Sequence, residues 1–295
     1  MTVKFRIGLL SVLVGLVVLA IKMGAYWLTG SVALLSDALE SIVNVAAALA
    51  ALAAIHVASQ PADTTHPYGH SKAEFLSAVL EGLLIMLAAL FILREAYHGI
   101  REPAGLDMPA AGLAVSLGAT VINAFWSRLL IQRGHAEESP ALVADGRHLL
   151  TDVITSLGVV AGVTLAVATG LAILDPIIAA LVALHILWSG GKVVKESLSG
   201  LMDEAVPEER LEQIRDLIAH NAQGAFEAHD LRTRHAGSTT FIDFHLIVPG
   251  DMSVYDAHEI CDRIESQMER ELTDAQVTIH IEPEHKSKRQ GVVIG

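Results

Sequence analysis

A histidine and an aspartate lie four residues apart in one of the long apolar stretches of the chain, His148-Leu-Leu-Thr-Asp152. Residues i and i+4 share one face of a helix, so both side chains point the same way. An earlier apolar stretch carries a second polar stripe, Asp37, Glu40 and Asn44, also at helical spacing. Acidic residues are costly in hydrocarbon and usually mark function. Facing each other, the two stripes would offer oxygen and nitrogen ligands to a divalent metal.

The way in which the stripes face each other depends on the number of membrane-spanning segments. With six spans, the second and fifth run antiparallel, so Glu40 meets Asp152 and Asn44 meets His148 at a common depth. Buried polar side chains also hold membrane helices together, and proton relays use similar residues. The pattern therefore indicates an ion pathway before it indicates a metal.

Two more acidic residues belong to the same apolar part of the chain. Asp145 extends the stripe of His148 toward the cytoplasmic end, three residues earlier. Glu81 lies inside the third apolar stretch, and ionisable residues within a membrane are functional by default. It could line the same cavity or carry a proton.

These residues are positioned by a chain that is mostly apolar. Of its 295 residues, 52% are hydrophobic and 18% are charged, which is less charge than a soluble protein usually carries. Six stretches are each near the roughly 20 apolar residues that a bilayer requires, at 7–29, 32–58, 75–93, 109–131, 142–168 and 173–194. The distribution of Lys and Arg favours both termini in the cytoplasm. We therefore expect an α-helical membrane bundle of six transmembrane helices in residues 1–203.

Residues 204–285 are polar, acidic and rich in histidine, which marks a second domain. Alternation and helical periodicity predict helix, strand, strand, helix and strand, at 207–221, 226–233, 240–248, 254–272 and 276–281. That order is typical of a small ferredoxin-like α+β domain. We expect the tail, residues 286–295, to be disordered.

Charge and cysteine content exclude several classes of function. The formal net charge is −13, which disfavours nucleic-acid binding because such proteins need a basic face. The single cysteine excludes a disulfide within the chain and a zinc site built from several thiolates of one chain. The 14 histidines remain as the ligands for a soft-to-borderline metal.

Two polar regions outside the apolar stretches carry further ligand-type residues. The loop between the second and third stretches offers Asp63, His66 and His70 within eight residues, which is metal-ligand chemistry at loop spacing. In the second domain, alternation puts several histidines on strand faces together with a glutamate. This group suggests cytoplasmic metal binding, although a solvent-exposed acidic surface rich in histidine is the alternative: His229, His245, His258, His280 and Glu282.

Taken together, these residues resemble the cation diffusion facilitator family of proton-coupled divalent-metal exporters, and in particular its bacterial zinc, cadmium and iron branch. The resemblance covers about residues 7–285. It rests on five segments: Gly30-Ser-Val-Ala-Leu-Leu-Ser-Asp37, the loop 60–74, His148-x-x-x-Asp152, Leu201-Met-Asp203 and His229-Asp-Leu-Arg-Thr-Arg234.

The resemblance implies a transport site with two ligands from the second helix and two from the fifth. The fifth-helix ligands match His148 and Asp152, and the second-helix ligands fall on Glu40 and Asn44, with Asp37 as a further candidate. The family usually has Asp or His followed by Asp on the second helix. Because Asn44 offers only a neutral oxygen, the departure bears on metal selectivity.

The resemblance also implies accessory metal sites and a homodimer. Its loop site matches Asp63, His66 and His70, and an ion pair is implied between Lys72 and Asp203 of the partner subunit. The family's cytoplasmic binuclear site matches His229, His245, His258, His280 and Glu282.

The function expected from the resemblance is efflux of a divalent metal, zinc or else iron or cadmium, across a bacterial inner membrane by alternating access and proton antiport. Metal ions, protons, membrane lipid and a second copy of the chain would be the partners, and no permanent cofactor is expected. A manganese or cobalt exporter of the same family is an alternative, and so is a membrane protein that senses or stores metal without transport. We expect no enzyme, since the His-Glu-x-x-His pattern of membrane zinc proteases is absent.

Overall fold

The computed structural model describes residues 2–29, 32–101, 110–171, 173–237, 239–272, 274–288 and 292–293. The chain divides into two compact units, residues 1–198 and 199–295. The first unit is helical, and the second combines helices with a small sheet.

Within the residues that the structure describes, six long helices occupy the first unit, each on one of the six predicted apolar stretches. Such stretches form helices in lipid because a helix pairs its own backbone polar groups. The helices are α1 (Val3–Thr29), α2 (Val32–Ala58), α3 (Ala73–Arg101), α4 (Ala110–Ala136), α5 (Pro140–Thr169) and α6 (Leu174–Leu201). By length and apolar composition, four segments within the described residues could cross a membrane: Val3–Gly24, Glu40–Ala58, Ala73–Arg101 and Pro176–Leu201.

The ends of α5 show why this helix starts and stops where it does. Ser139 is the N-cap, and its hydroxyl accepts a hydrogen bond from the backbone N–H of Leu142 at 3.4 Å. Pro140 follows at the first helical position, where its missing N–H costs nothing. Gly170 closes the helix in the left-handed conformation, with φ +72°, which glycine adopts without strain.

Helices α4 and α5 approach closely through two glycines. A Cβ atom added to Gly134 would lie 2.8 Å from the backbone nitrogen of Val143, and one added to Gly146 would lie 3.0 Å from that of Ile131. Contacts this short leave no room for a methyl group. We call Gly134 and Gly146 with their neighbours Val143 and Ile131 the glycine seam.

The second unit has the predicted order of elements. Helix α7 (Glu208–Asn221) precedes strands β1 (Glu227–Ala236) and β2 (Thr239–Val248), and helix α8 (Val254–Glu271) precedes β3 (Ala275–Pro283). With the short strand β4 (Val292–Val293), the sheet has the order β3-β2-β1-β4, and β2 is parallel to β3 and antiparallel to β1. The core between helices and sheet is apolar and includes Ile214, Ile218, Phe244, Leu246 and Ile264.

The structure describes residues 286–288 and 292–293 of the C-terminal tail, and the disorder expected for residues 286–295 stays a prediction. A 3₁₀ turn spans Glu284–Lys286, and β4 (Val292–Val293) pairs antiparallel with β1 at Glu227 and Ala228. The edge of β1 offers unpaired backbone N–H and C=O groups that a short strand can satisfy. The charged composition of the tail gives no sign of this pairing.

Candidate metal centres

The two polar stripes meet between α2 and α5 through Asn44, His148 and Asp152, and we call these three residues with the predicted ligand Glu40 the helix cluster. The Nε2 atom of His148 lies 3.0 Å from Oδ1 of Asn44, and Nδ2 of Asn44 donates to Oδ2 of Asp152 at 2.5 Å. Asn44 and His148 are buried. One amide side chain of α2 therefore links both predicted ligands of α5, and its contact with His148 was predicted whereas its contact with Asp152 was not.

The hydrogen bonds of the helix cluster define the state of its imidazole. Because Asn44 donates from Nδ2 to Asp152, its Oδ1 is free to accept, and Nε2 of His148 is then the N–H donor. The other ring nitrogen, Nδ1, is buried and makes no hydrogen bond within the described part of the chain. A metal at Nε2 would have to displace that proton, since only an unprotonated nitrogen binds metal.

Of the two other predicted ligands on α2, the structure describes the side chain of Glu40 but not that of Asp37. Glu40 lies one turn before Asn44 on α2, and its side chain is exposed. Its predicted meeting with Asp152 stays a prediction. The side chain of Asp37 lies outside the described residues.

Asp145 is held in a buried chain of hydrogen bonds. The hydroxyl of Ser11 donates to Oδ2 of Asp145 at 2.6 Å, and Nε1 of Trp126 donates to the hydroxyl of Ser11 at 3.1 Å. The chain joins α1, α4 and α5, so Asp145 ties together the helices around the helix cluster. Glu81 of α3 is also fully buried, with Ser77 donating to it at 3.5 Å.

A third buried carboxylate of the helical unit was not identified from the sequence. Glu74, at the start of α3, is buried and accepts from the hydroxyl of Ser139, the N-cap of α5. Its other oxygen lies 3.4 Å from Nζ of Lys4 in α1. The Ser-Pro start of α5 was a recognisable capping signal, but its acidic partner 65 residues away left no local pattern.

The loop cluster, Asp63, His66 and His70, is brought together as predicted. Nδ1 of His66 and Nε2 of His70 each lie 3.5 Å from an oxygen of Asp63. Two ligands about 2.1 Å from a tetrahedral ion lie about 3.4 Å apart, so these atoms have metal-ligand spacing. All three residues belong to one group whose ligand atoms could hold an ion.

The carboxylate of the loop cluster is held in its charged form. The pKa of Asp63 is lowered to about 2 by hydrogen bonds to its carboxylate. The largest effect comes from the side-chain hydroxyl of Thr65, and the backbone N–H groups of His66 and Thr65 follow. These three donors lie 2.7–2.8 Å from Oδ1 of Asp63. Donors to a carboxylate stabilise its charged form, so Asp63 is ready to bind a cation at any physiological pH.

The sheet cluster is a row of histidines across three strands, completed by Glu282. His229 of β1 pairs with His245 of β2, which pairs with His280 of β3. Oε2 of Glu282 lies 3.5 Å from Nε2 of His229 and 3.6 Å from Nδ1 of His245, and Oε1 lies 3.8 Å from Nε2 of His280. Neither ring nitrogen of the buried His229 makes a hydrogen bond among the described residues, so the row has ligand atoms available for a metal.

Asp230 joins this row although regular alternation would place it on the opposite face. It has φ +52°, in the left-handed region, and the pairing of β1 with β2 is irregular between His229 and Arg232. Ligand atoms of His229, Asp230 and His245 lie within 4.8 Å of one another. A hydrogen bond from the Lys288 ammonium lowers the pKa of Asp230 below its ordinary value. The sequence did not identify this residue because a β-bulge breaks the two-residue period.

Glu227 is a further buried residue that the sequence analysis missed. Its Oε1 lies 3.5 Å from Nδ1 of His229, and the hydroxyl of Ser287 donates to its Oε2. A carboxylate on the far nitrogen of a metal-binding histidine fixes which nitrogen faces the metal. Glu227 is placed to do this for His229.

For two residues that were predicted to bind metal or to pair with the partner subunit, the structure describes other contacts. His258 is exposed on α8, with Nδ1 3.6 Å from Oδ1 of Asp262. Asp203 accepts from Nη1 of Arg234 at 3.1 Å. The place of His258 in the sheet cluster and the Lys72–Asp203 pair between subunits stay predictions.

Comparisons with known proteins cover almost the whole chain. The family description "cation efflux transmembrane domain" matches residues 8–202, and "cation efflux protein, cytoplasmic domain" matches residues 206–284. The boundary between the two matches falls close to the boundary between the two units of the structure.

Individual relatives are similar over most of their length. An uncharacterized transporter of Synechocystis sp. is 43% identical over 276 residues, which are 94% of this chain and 89% of the relative. The cation-efflux pump FieF of Yersinia pestis is 33% identical over 270 residues, which are 90% and 88% of the two chains. Among solved structures, the metal-bound C-terminal domain of the CzcD transporter from Thermotoga maritima is 32% identical, with 26% of this chain and 90% of that chain covered and a TM-score of 0.24.

Proposed function

The chain belongs to the cation diffusion facilitator family, and on that premise we propose that it exports divalent metal cations in exchange for protons. Alternating access would expose the helix cluster first to the cytoplasm and then to the other side of the membrane. Zinc is the proposed substrate, with iron and cadmium as further substrates. No permanent cofactor takes part.

The observation that carries this proposal is the contact of Asn44 with both His148 and Asp152. It joins nitrogen and oxygen donors of two helices at one buried place, where a storage protein would need no ligands. The donors already satisfy one another through hydrogen bonds. An arriving ion would exchange those bonds for metal bonds, so the site can close on itself when it is empty.

Proton coupling would follow from the chemistry of the same donors. Metal binds only the deprotonated imidazole and carboxylate, so binding releases protons and protonation releases metal. His148 and Asp152 are the two donors of this set that can exchange a proton for a metal ion, so they are the proposed proton carriers. An inward proton gradient would then drive metal outward.

The donor set bears on which metal is carried. His148 contributes nitrogen, Asp152 a charged oxygen and Asn44 a neutral oxygen, and mixed nitrogen and oxygen ligands suit zinc. An all-oxygen site would favour manganese, so His148 favours zinc over the manganese alternative. If the exposed Glu40 adds the fourth ligand, a second anionic oxygen completes the set.

The remaining features of the proposal concern the assembly. Six transmembrane helices would lie in the bacterial inner membrane with both termini in the cytoplasm, and the ferredoxin-like second domain would dimerise with a second copy. The Lys72–Asp203 pair between subunits would then act as a hinge, since a desolvated charge left unpaired is costly. The loop and sheet clusters would bind metal as accessory sites, the latter in a regulatory role.

Flux through purified protein in liposomes tests the proposal. Zinc and pH indicators inside the vesicles would report metal entry and opposite proton flow. Asp152→Ala is expected to abolish flux, whereas Asp251→Ala, a matched change at an exposed turn, is expected to leave it intact. Zinc movement without proton counterflow would contradict the coupling, and unimpaired flux in Asp152→Ala would remove the site. Zinc binding without any flux would favour the sensing or storage alternative.

A further inference from the structure

The C-terminal tail contacts the strand that carries the buried histidine of the sheet cluster. The hydroxyl of Ser287 donates to Glu227, and the ammonium of Lys288 donates to Oδ2 of Asp230. Val292–Val293 then pairs with the outer edge of β1. The tail is therefore held on β1 by two side-chain contacts and a short backbone ladder.

Asp230 is the point at which the tail and a metal ion would meet. It combines with His229 and His245 into a group with metal-ligand spacing, and one of its oxygens is engaged by Lys288. The buried His229 has no hydrogen bond at either ring nitrogen among the described residues. The group therefore offers imidazole nitrogens to a metal ion, next to a carboxylate that already forms an ion pair with Lys288.

We propose that Lys288 is a tethered cation that competes with a metal ion for Asp230, so that metal binding by His229, Asp230 and His245 displaces the C-terminal tail from β1. This inference rests on the proposed metal binding by the sheet cluster. It adds a ligand, Asp230, and a built-in competitor, Lys288, to that site.

Electrostatic repulsion prevents the Lys288 ammonium and a divalent metal ion from binding Asp230 at the same time. A divalent ion bound by Asp230 would lie within a few ångströms of the Lys288 ammonium, and like charges at that distance repel strongly. The ammonium is half exposed, with 51% of its side-chain surface accessible. An exposed ion pair contributes little free energy, so a metal can displace it readily.

Displacement of Lys288 has a consequence for the rest of the tail. Two residues of β4 alone cannot hold a strand on a sheet edge, since isolated short ladders are marginal in water. Loss of the Lys288 contact would therefore weaken the pairing of Val292 and Val293 with β1. Metal binding would thereby release β4 and expose the edge of β1.

Hydrogen exchange of the full-length protein in detergent, with and without zinc, tests the inference. Zinc is expected to slow exchange in the peptides of β2 and β3 that carry His245 and His280. It is expected to speed exchange in the C-terminal peptide that contains Val292 and Val293. The zinc concentration at the midpoint of each change gives the apparent affinity of the sheet cluster.

A pair of variants separates competition from a general effect of charge. Lys288→Gln removes the competitor, so the zinc midpoint is expected to fall by roughly twofold to fivefold, the size of an exposed ion pair, and the tail is expected to exchange rapidly without zinc. Lys286→Gln changes the net charge by the same amount two residues away and is expected to behave as the wild type.

The outcomes distinguish this inference from the proposed site itself. If zinc protects β2 and β3 but leaves exchange in the tail unchanged, the competition is wrong while the metal site stands. The competition is equally wrong if Lys288→Gln leaves the zinc midpoint unchanged. If zinc protects no strand in any variant, the sheet cluster binds no metal and both ideas fall.

Discussion

A neutral amide faces the imidazole of the helix cluster: Oδ1 of Asn44 lies 3.0 Å from Nε2 of His148. At this position the resemblance implies a carboxylate, which would accept the same hydrogen bond with a full negative charge. The amide has a second function here, because its nitrogen donates to Asp152. A carboxylate could not make that bond unless it were protonated.

Asn44→Asp is expected to raise the affinity for zinc. A charged oxygen is a stronger partner for a cation than a neutral one, by about 1.5 kcal/mol or more, so the half-saturating zinc concentration for flux should fall about tenfold. Metal-dependent flux in liposomes measures it. Asn44→Ala serves as the control and should weaken flux. A half-saturating concentration that does not change in Asn44→Asp would show that Asn44 is not a ligand.

Ser139→Ala is expected to destabilise the helical unit more than an ordinary serine replacement. The change removes the N-cap of α5 and the hydroxyl donor to the buried Glu74, for a combined cost of about 1–3 kcal/mol. The melting temperature in detergent should fall by several degrees. Ser59→Ala, at an exposed serine, should leave it unchanged. Equal melting temperatures for both variants would deny the Glu74–Ser139 link a structural role.

The loop cluster is expected to keep its folded turn in acid. The pKa of Asp63 is depressed to about 2, so the stabilisation from its ionised form is fully present above the ordinary value of 3.8 and is lost as the pH falls through about 2. Carbon-detected NMR of the Asp63 carboxyl during an acid titration checks this. A midpoint near 4 would mean that the Thr65 and His66 donors do not hold the carboxylate.

Cys261 is expected to resist thiol reagents in the folded protein. Burial is the largest cause that raises its pKa, to about 11, so roughly one thiol in a thousand is ionised at pH 8, and the thiolate is the reactive form. Labelling with a chromogenic disulfide should be very slow in buffer and complete within minutes in denaturant. Fast labelling under native conditions would show that the α8 core opens readily.

Much of the fold could be predicted from the sequence because its determinants are local. The apolar run 32–58 coincides with α2, since in a membrane helix length and hydrophobicity set both ends. Two-residue alternation likewise predicted the strands that carry His229, His245 and His280. These features need only the period of the pattern.

The parts that could not be predicted depend on contacts between distant residues or on irregular backbone. Glu74 pairs with a serine in another helix, and no spacing rule connects them. Asp230 reaches the sheet cluster only because its backbone turns left-handed at a bulge. The strand Val292–Val293 depends on the free edge of β1. In each case the determining partner is remote in sequence.

The glycine seam has a mechanical consequence. With backbone nitrogens 2.8 and 3.0 Å from where a methyl would sit on Gly134 and Gly146, α4 and α5 pack too closely to slide along each other without first separating. Under the alternating access proposed above, a movement that opened His148 and Asp152 to one side would have to move α4 together with α5. Helices α4 and α5 would then move as one unit relative to α2, at the face where Asn44 of α2 contacts α5.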